Sequence, residues 1–99
     1  MSKEIVHVVA TFVAAPGKES ELESALAALV EPTRKEAGCL RYDLFRALDG
    51  SGDFVFVEEW ESVETLDEHG RSAHIQEAGA KAPALLSAPP KVTRYRQIR

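Results

Sequence analysis

The stretch Phe54-Val-Phe-Val-Glu58-Glu-Trp60-Glu-Ser62-Val-Glu-Thr-Leu66-Asp-Glu-His69-Gly-Arg-Ser72-Ala-His74 decides the fold, because its hydrophobic period changes partway along. Up to Trp60 it reads as a strand, since its Phe and Val residues suit a pleated surface. Period two places Phe54, Phe56, Glu58 and Trp60 on one face and Val55, Val57 and Glu59 on the other. A carboxylate in line with three aromatics is the least ordinary feature of the chain. After Trp60 the pattern turns helical. Ser62 is placed to cap the helix and Glu64 to complement its positive end. Val63, Leu66 and His69 form the inward stripe, Gly70 loosens the helix, and Ser72 caps a restart running through His74 to Pro83.

Toward the N-terminus, residues 5–13 are rich in β-branched side chains and stop at Pro16-Gly17, a turn signal. Val6, Val8, Ala10 and Phe12 share one face of this first strand, and His7, Val9, Thr11 and Val13 the other. Leu22, Ala25, Leu26, Leu29 and Val30 then recur at helical spacing, which predicts a helix over about 18–37. Pro32 removes the hydrogen bond to Ala28 and predicts a kink or a frayed last turn. Gly38 is the stop. Residues 39–46 alternate as a second strand, with Leu40, Tyr42 and Leu44 opposed to Cys39, Arg41, Asp43 and Phe45. Asp49 to Asp53 is a flexible hairpin connection. Beyond the second helix, Pro83 to Pro90 is helix exit and loop, and residues 91–98 form the fourth strand.

The order β-α-β-β-α-β over residues 1–99, a single domain, is the ferredoxin-like plan of an α+β fold: a four-stranded antiparallel sheet with two helices on one face. Two helices leave the other face bare, and Val9, Val13, Val55, Val57 and Phe45 all fall on it. An uncovered apolar face calls for a partner, and a second copy packing sheet on sheet is the most economical one. His7 then belongs to that interface.

Composition removes several classes. Sixteen acidic against twelve basic residues, scattered, give a formal charge of −4 and no basic stripe to follow a phosphate backbone, so nucleic acid is not expected as a partner. Apolar runs fall far short of the roughly 20 residues that span a bilayer, and the N-terminus does not resemble a signal peptide, so no membrane association and a cytoplasmic location are expected. Cys39 is the sole cysteine and reads as a small buried hydrophobe.

Taken together, Pro16-Gly17-Lys18 opening helix one, Glu36-Ala37-Gly38-Cys39 with Tyr42 on strand two, Glu58-Glu59-Trp60-Glu61-Ser62 ending strand three, and His69 with His74 resemble the antibiotic biosynthesis monooxygenase domain of the dimeric α+β barrel superfamily. The resemblance covers the whole chain. It implies a homodimer whose sheets form a shared barrel, and a pocket in each subunit between helices and sheet. For some members it implies oxidation of quinols or phenolic polyketides by dioxygen with no metal, flavin or haem. Haem-degrading relatives use an asparagine on strand one and a tryptophan on the helix, at positions that here hold Ala10 and His69. This chain contains no asparagine, which argues against haem degradation of that type.

A cofactor-free oxygenase must bind a flat apolar substrate, take or stabilise a hydroxyl proton, and keep water out. Trp60, Tyr42, Phe54 and Phe56, with Ala10, are the candidate pocket wall. His69 is the candidate base because its ordinary pKa lies closest to neutrality. Glu58 is the candidate to orient His69 or to bind a substrate hydroxyl, and His74 to supply a further hydrogen bond. Each has a plainer reading: Trp60 as core, Glu58 as a helix cap or an arginine partner, His69 and His74 as structural histidines. A metal is not expected, since histidines five apart across Gly70 do not share a helix face. Two other functions stay open. One is a non-catalytic dimeric domain holding an aromatic or lipid-like ligand. The other is a small-ketone isomerase with His69 and Glu58 as acid-base pair; a phosphorylated substrate would have only Arg41, Arg71 or Lys81 to meet it.

Overall fold

A computed structural model describes residues 4–99. The strands are β1 (Val6–Val13), β2 (Cys39–Arg46), β3 (Asp53–Trp60) and β4 (Lys91–Tyr95). The helices are α1 (Glu19–Ala27), α2 (Val30–Arg34), α3 (Val63–Gly70) and α4 (Ala73–Lys81), followed by a 3-10 turn at Ala82–Ala84. All strand pairs are antiparallel, in the order β2-β3-β1-β4, which is the ferredoxin-like arrangement, and the sheet does not close on itself. Among the described residues, no helix is long and apolar enough to cross a membrane.

The alternation of β3 is realised as expected. Phe54, Phe56, Glu58 and Trp60 are buried, while Val55, Val57 and Glu59 are only partly covered. Leu22, Leu26 and Leu29 close over them from the first helical layer, with Val6, Val8 and Ala10 from β1 beside them. Each fully buried aromatic here contributes about 1.5–3 kcal/mol relative to its exposed state. On the bare face, cross-strand pairing aligns Val9 with Val57 and Val55 with both Thr11 and Phe45. Val13 and Phe45 remain exposed there.

Several local expectations need correction. The helix expected over 18–37 divides at Ala28–Leu29: Pro32 has no N–H to offer the Ala28 carbonyl, so the chain tightens through a Leu29 N–H bond to Leu26 and resumes as α2. Leu40 does not share the Tyr42 face. The β2–β3 register shifts between Cys39, opposite Trp60, and Arg41, opposite Glu59, so a bulge turns Leu40 out to solvent and lets Cys39 pack on the core. Val63 is exposed, since the buried stripe of α3 runs Ser62, Leu66, His69. The fourth strand also ends at Tyr95, short of Ile98.

Caps and turns hold the ends of these elements in place. Ser62 caps α3 in a reciprocal box with Thr65, each side chain accepting from the other residue's backbone N–H. Gly38 joins α2 to β2 at φ +84°, and its carbonyl accepts from the Glu61 N–H at 2.8 Å. Near the other end of the sheet, Ala15 N–H donates to Leu85 at 2.8 Å and Ser87 N–H to Val13 at 2.9 Å, tying the loop after α4 to the end of β1.

Candidate functional site

The site lies where the α2–β2 turn meets the junction of α3 and α4. Glu36 sits in that turn, just before Gly38. His69 occupies the last turn of α3 and His74 the first turn of α4. Between them Ser72 occupies the N-cap position of α4, but its hydroxyl donates to the His69 carbonyl at 2.7 Å instead of capping. That bond fixes the bend between the two helices.

Oε2 of Glu36 lies 2.8 Å from His69 Nδ1 and 2.8 Å from His74 Nε2. An ionised carboxylate only accepts, so each facing imidazole nitrogen donates a proton to it, and a neutral His69 keeps its lone pair at Nε2. The His69 ring packs against the Trp60 indole, 4.6 Å between centroids, and edge-on to Tyr42 at 5.5 Å. Tyr42 stacks in turn on Phe56 at 4.4 Å. Burial pulls the His69 pKa below its ordinary value, and the Glu36 bond and charge only partly offset this. The ring is therefore neutral at pH 7, the state in which it accepts a proton. On the far side, Thr33 Oγ1 lies 3.1 Å from His74 Nε2. Among the described residues, no buried side-chain polar atom lacks a hydrogen-bond partner.

Glu58 does not hold His69. It is buried between Tyr42 and Val8 across the strands, and its Oε1 accepts from Trp60 Nε1 at 2.9 Å. Burial pushes its carboxyl up to about 7, against the lowering effect of the Trp60 bond and with added repulsion from Glu36. Neither the cap nor the arginine partner considered for Glu58 is seen. The expectation that Glu58 orients His69 is corrected: Glu36 does so.

The other expected residues divide. Tyr42 and Trp60 reach His69, and His74 joins it through Glu36. Phe56 stands one layer back, behind Tyr42. Ala10 is buried opposite Phe56 and brings no polar group. Trp60, Phe54 and Phe56 have essentially no exposed surface, so in this conformation they are core. Arg41, considered for a substrate phosphate, is tied to Asp43 at 2.6 Å and reaches Glu59 at 3.7 Å on the bare face of the sheet. Burial raises the Cys39 thiol pKa, which suits the inert role expected of it.

Sequence reasoning missed Glu36 and Thr33 as site residues. The available signal was Glu36 in the Glu36-Gly38 run at a helix–strand junction. The spacing argument against a shared histidine site also fails. The break expected at Gly70 is there, but a shared helix face is not needed: α3 and α4 meet so that the carboxylate oxygen and the two imidazole nitrogens lie within 4.8 Å of one another.

Comparison with known proteins agrees with this architecture. Residues 5–81 match the family model described as antibiotic biosynthesis monooxygenase. Rv0793 of Mycobacterium tuberculosis, provisionally named a monooxygenase, is 41% identical over 88 residues, covering 89% of this chain and 86% of that protein. YcnE of Bacillus subtilis, provisionally named in the same way, is 38% identical over 79 residues, covering 80% and 83%. The crystal structure of PA3566 from Pseudomonas aeruginosa superposes with a TM-score of 0.92 at 33% identity, covering 100% of this chain and 99% of that one. The solved structure of Rv0793 gives 0.91 at 36% identity, covering 97% of each. With one match running from β1 to the end of α4 and relatives aligned over most of their own length, the chain belongs to the antibiotic biosynthesis monooxygenase family.

Proposed function

We propose that the chain is a cofactor-independent monooxygenase that oxidises a quinol or another phenolic small molecule with dioxygen. The observation that carries this reading is His69: a buried, neutral imidazole set against Trp60 and Tyr42, with Nδ1 held by Glu36. Such a ring accepts the substrate hydroxyl proton at Nε2, and Glu36 stabilises the imidazolium that forms. The resulting phenolate is electron-rich enough to pass an electron to dioxygen itself. The aromatic surroundings keep water from the radical pair so formed. Access comes from the α4 side, because no residue of α4 is fully buried, whereas β1 and β3 anchor the core.

The working unit in this reading is a homodimer formed through the bare sheet face, with His7 at its margin and a small aromatic substrate as the other partner. Oxygen uptake with a panel of quinols tests the reaction. His69→Ala is expected to lose at least about 100-fold in kcat/KM, the scale of a lost general base, and Glu36→Gln to fall between it and the wild type. Unchanged uptake in His69→Ala removes the histidine from the chemistry.

The alternative outcome is a non-catalytic domain that holds the same class of ligand. Tight binding of a quinol without any oxygen uptake would select it.

A further inference from the structure

We infer that Glu36, His69 and His74 form a binding site for one divalent transition-metal ion. Among the described residues, this is the one group of three or more potential ligands whose donor atoms converge, all within 4.8 Å. Two imidazoles and a carboxylate form a borderline donor set, suited to iron, cobalt, nickel, zinc or manganese and poorly suited to calcium or magnesium, which prefer all-oxygen shells. The spacing narrows the coordination. Donors about 2.1 Å from a shared ion stand about 3 Å apart at right angles and about 3.4 Å apart in a tetrahedron. Glu36 Oε2 is 2.8 Å from each nitrogen, nearer the right-angled arrangement. Three donors leave open positions on the ion for water or a small anion.

The surroundings are those of a built site. The Ser72 bond to the His69 carbonyl holds the two helices at their angle, and Gly38 fixes the turn that presents Glu36. Thr33 Oγ1, 3.1 Å from His74 Nε2, is placed to bond an ion-bound water. The three side chains are not sealed: Glu36 keeps 17% and His74 25% of its side-chain surface exposed, so an ion reaches them without opening the core. Without an ion the protons of the two imidazoles occupy the space between the donors. Binding replaces them, so His69 then carries its proton on Nε2 and no longer presents a lone pair there.

The site does not depend on the proposed reaction, and one set of measurements tells them apart. Trp60 is the sole tryptophan and lies 4.6 Å from the His69 ring, so its fluorescence reports on this position. Chelator-treated protein is titrated with Co2+, following Trp60 quenching and the visible absorption of the bound ion, and with Zn2+ by calorimetry. The expected result is one ion per chain with micromolar affinity. Glu36→Gln and His74→Ala are each expected to weaken it at least tenfold with an unchanged circular dichroism spectrum. His7→Ala, on the opposite face of the sheet, is expected to bind as the wild type does. Absence of saturation up to millimolar ion, or saturation unchanged in both site variants, overturns the inference and leaves the cofactor-free reaction standing. Metal binding that abolishes oxygen uptake supports both readings. Turnover that requires the ion supports the site and overturns the cofactor-free mechanism.

Discussion

Two glutamates with opposite surroundings dominate the electrostatics of the helix-covered side. Glu36 meets two imidazole donors at the surface margin, while Glu58 lies in an apolar layer with the Trp60 N–H on one oxygen. The Glu58 carboxyl, ordinarily near 4.5, titrates at about 7 in the fold, so the folded protein holds this proton more tightly than the unfolded chain. Stability from this group is therefore present at low pH and is lost as pH rises from about 4.5 to about 7; the full effect is on the order of 3 kcal/mol. Glu58→Gln, which keeps an acceptor for Trp60 without the charge, is expected to remove that slope and to be more stable than the wild type at pH 8. Urea denaturation at pH 5 and pH 8 checks it, and parallel slopes in both proteins would count against a raised carboxyl. The strand position of Glu58 was legible from alternation alone. The partner of His69 was not, because Glu36 sits 33 positions earlier in a turn, and no local period encodes a contact at that separation.

At the scale of elements, the junctions matter more than the helices. Gly38 has φ +84°, and a Cβ there would lie 2.4 Å from Thr65 Cγ2 and 2.6 Å from Thr65 Oγ1. Gly38→Ala thus forces a side chain into a left-handed backbone and also displaces the side chain that completes the α3 capping box. The expected loss is about 2–4 kcal/mol by thermal or urea unfolding, with weaker His69–Glu36 coupling seen as a further drop in the His69 pKa by NMR. A loss below about 0.5 kcal/mol would mean the turn is looser than the geometry requires. The Ser62 cap could be read from residue type, since it rests on local backbone chemistry, but the helix stop expected at Gly38 is not there: α2 ends at Arg34, and Gly38 instead turns the chain into β2. The Leu40 bulge could not be read, because it is decided by pairing with β3. Nor could the inward stripe of α3 in full, because the helix begins at Val63 and its docking angle turns that residue to solvent.

For the whole molecule, one face of the sheet is covered by helices and the other carries Val9, Val13, Val55, Val57 and Phe45. The proposed dimer buries this second face. Val57→Asp puts a charge in the middle of it and leaves the helix-side core untouched, so sedimentation is expected to show a folded monomer where the wild type sediments as a dimer at micromolar concentration. A monomeric wild type would end the dimer proposal without touching the site, which is on the other side. The same division runs through β3 itself, where neighbours in the chain serve opposite surfaces. Even-numbered positions from Phe54 to Trp60 face the helices and the chemistry, and odd-numbered positions from Asp53 to Glu59 face away. A saturation screen of this strand should accordingly split by parity into two phenotypes, failed folding or turnover on the even positions and failed assembly on the odd ones.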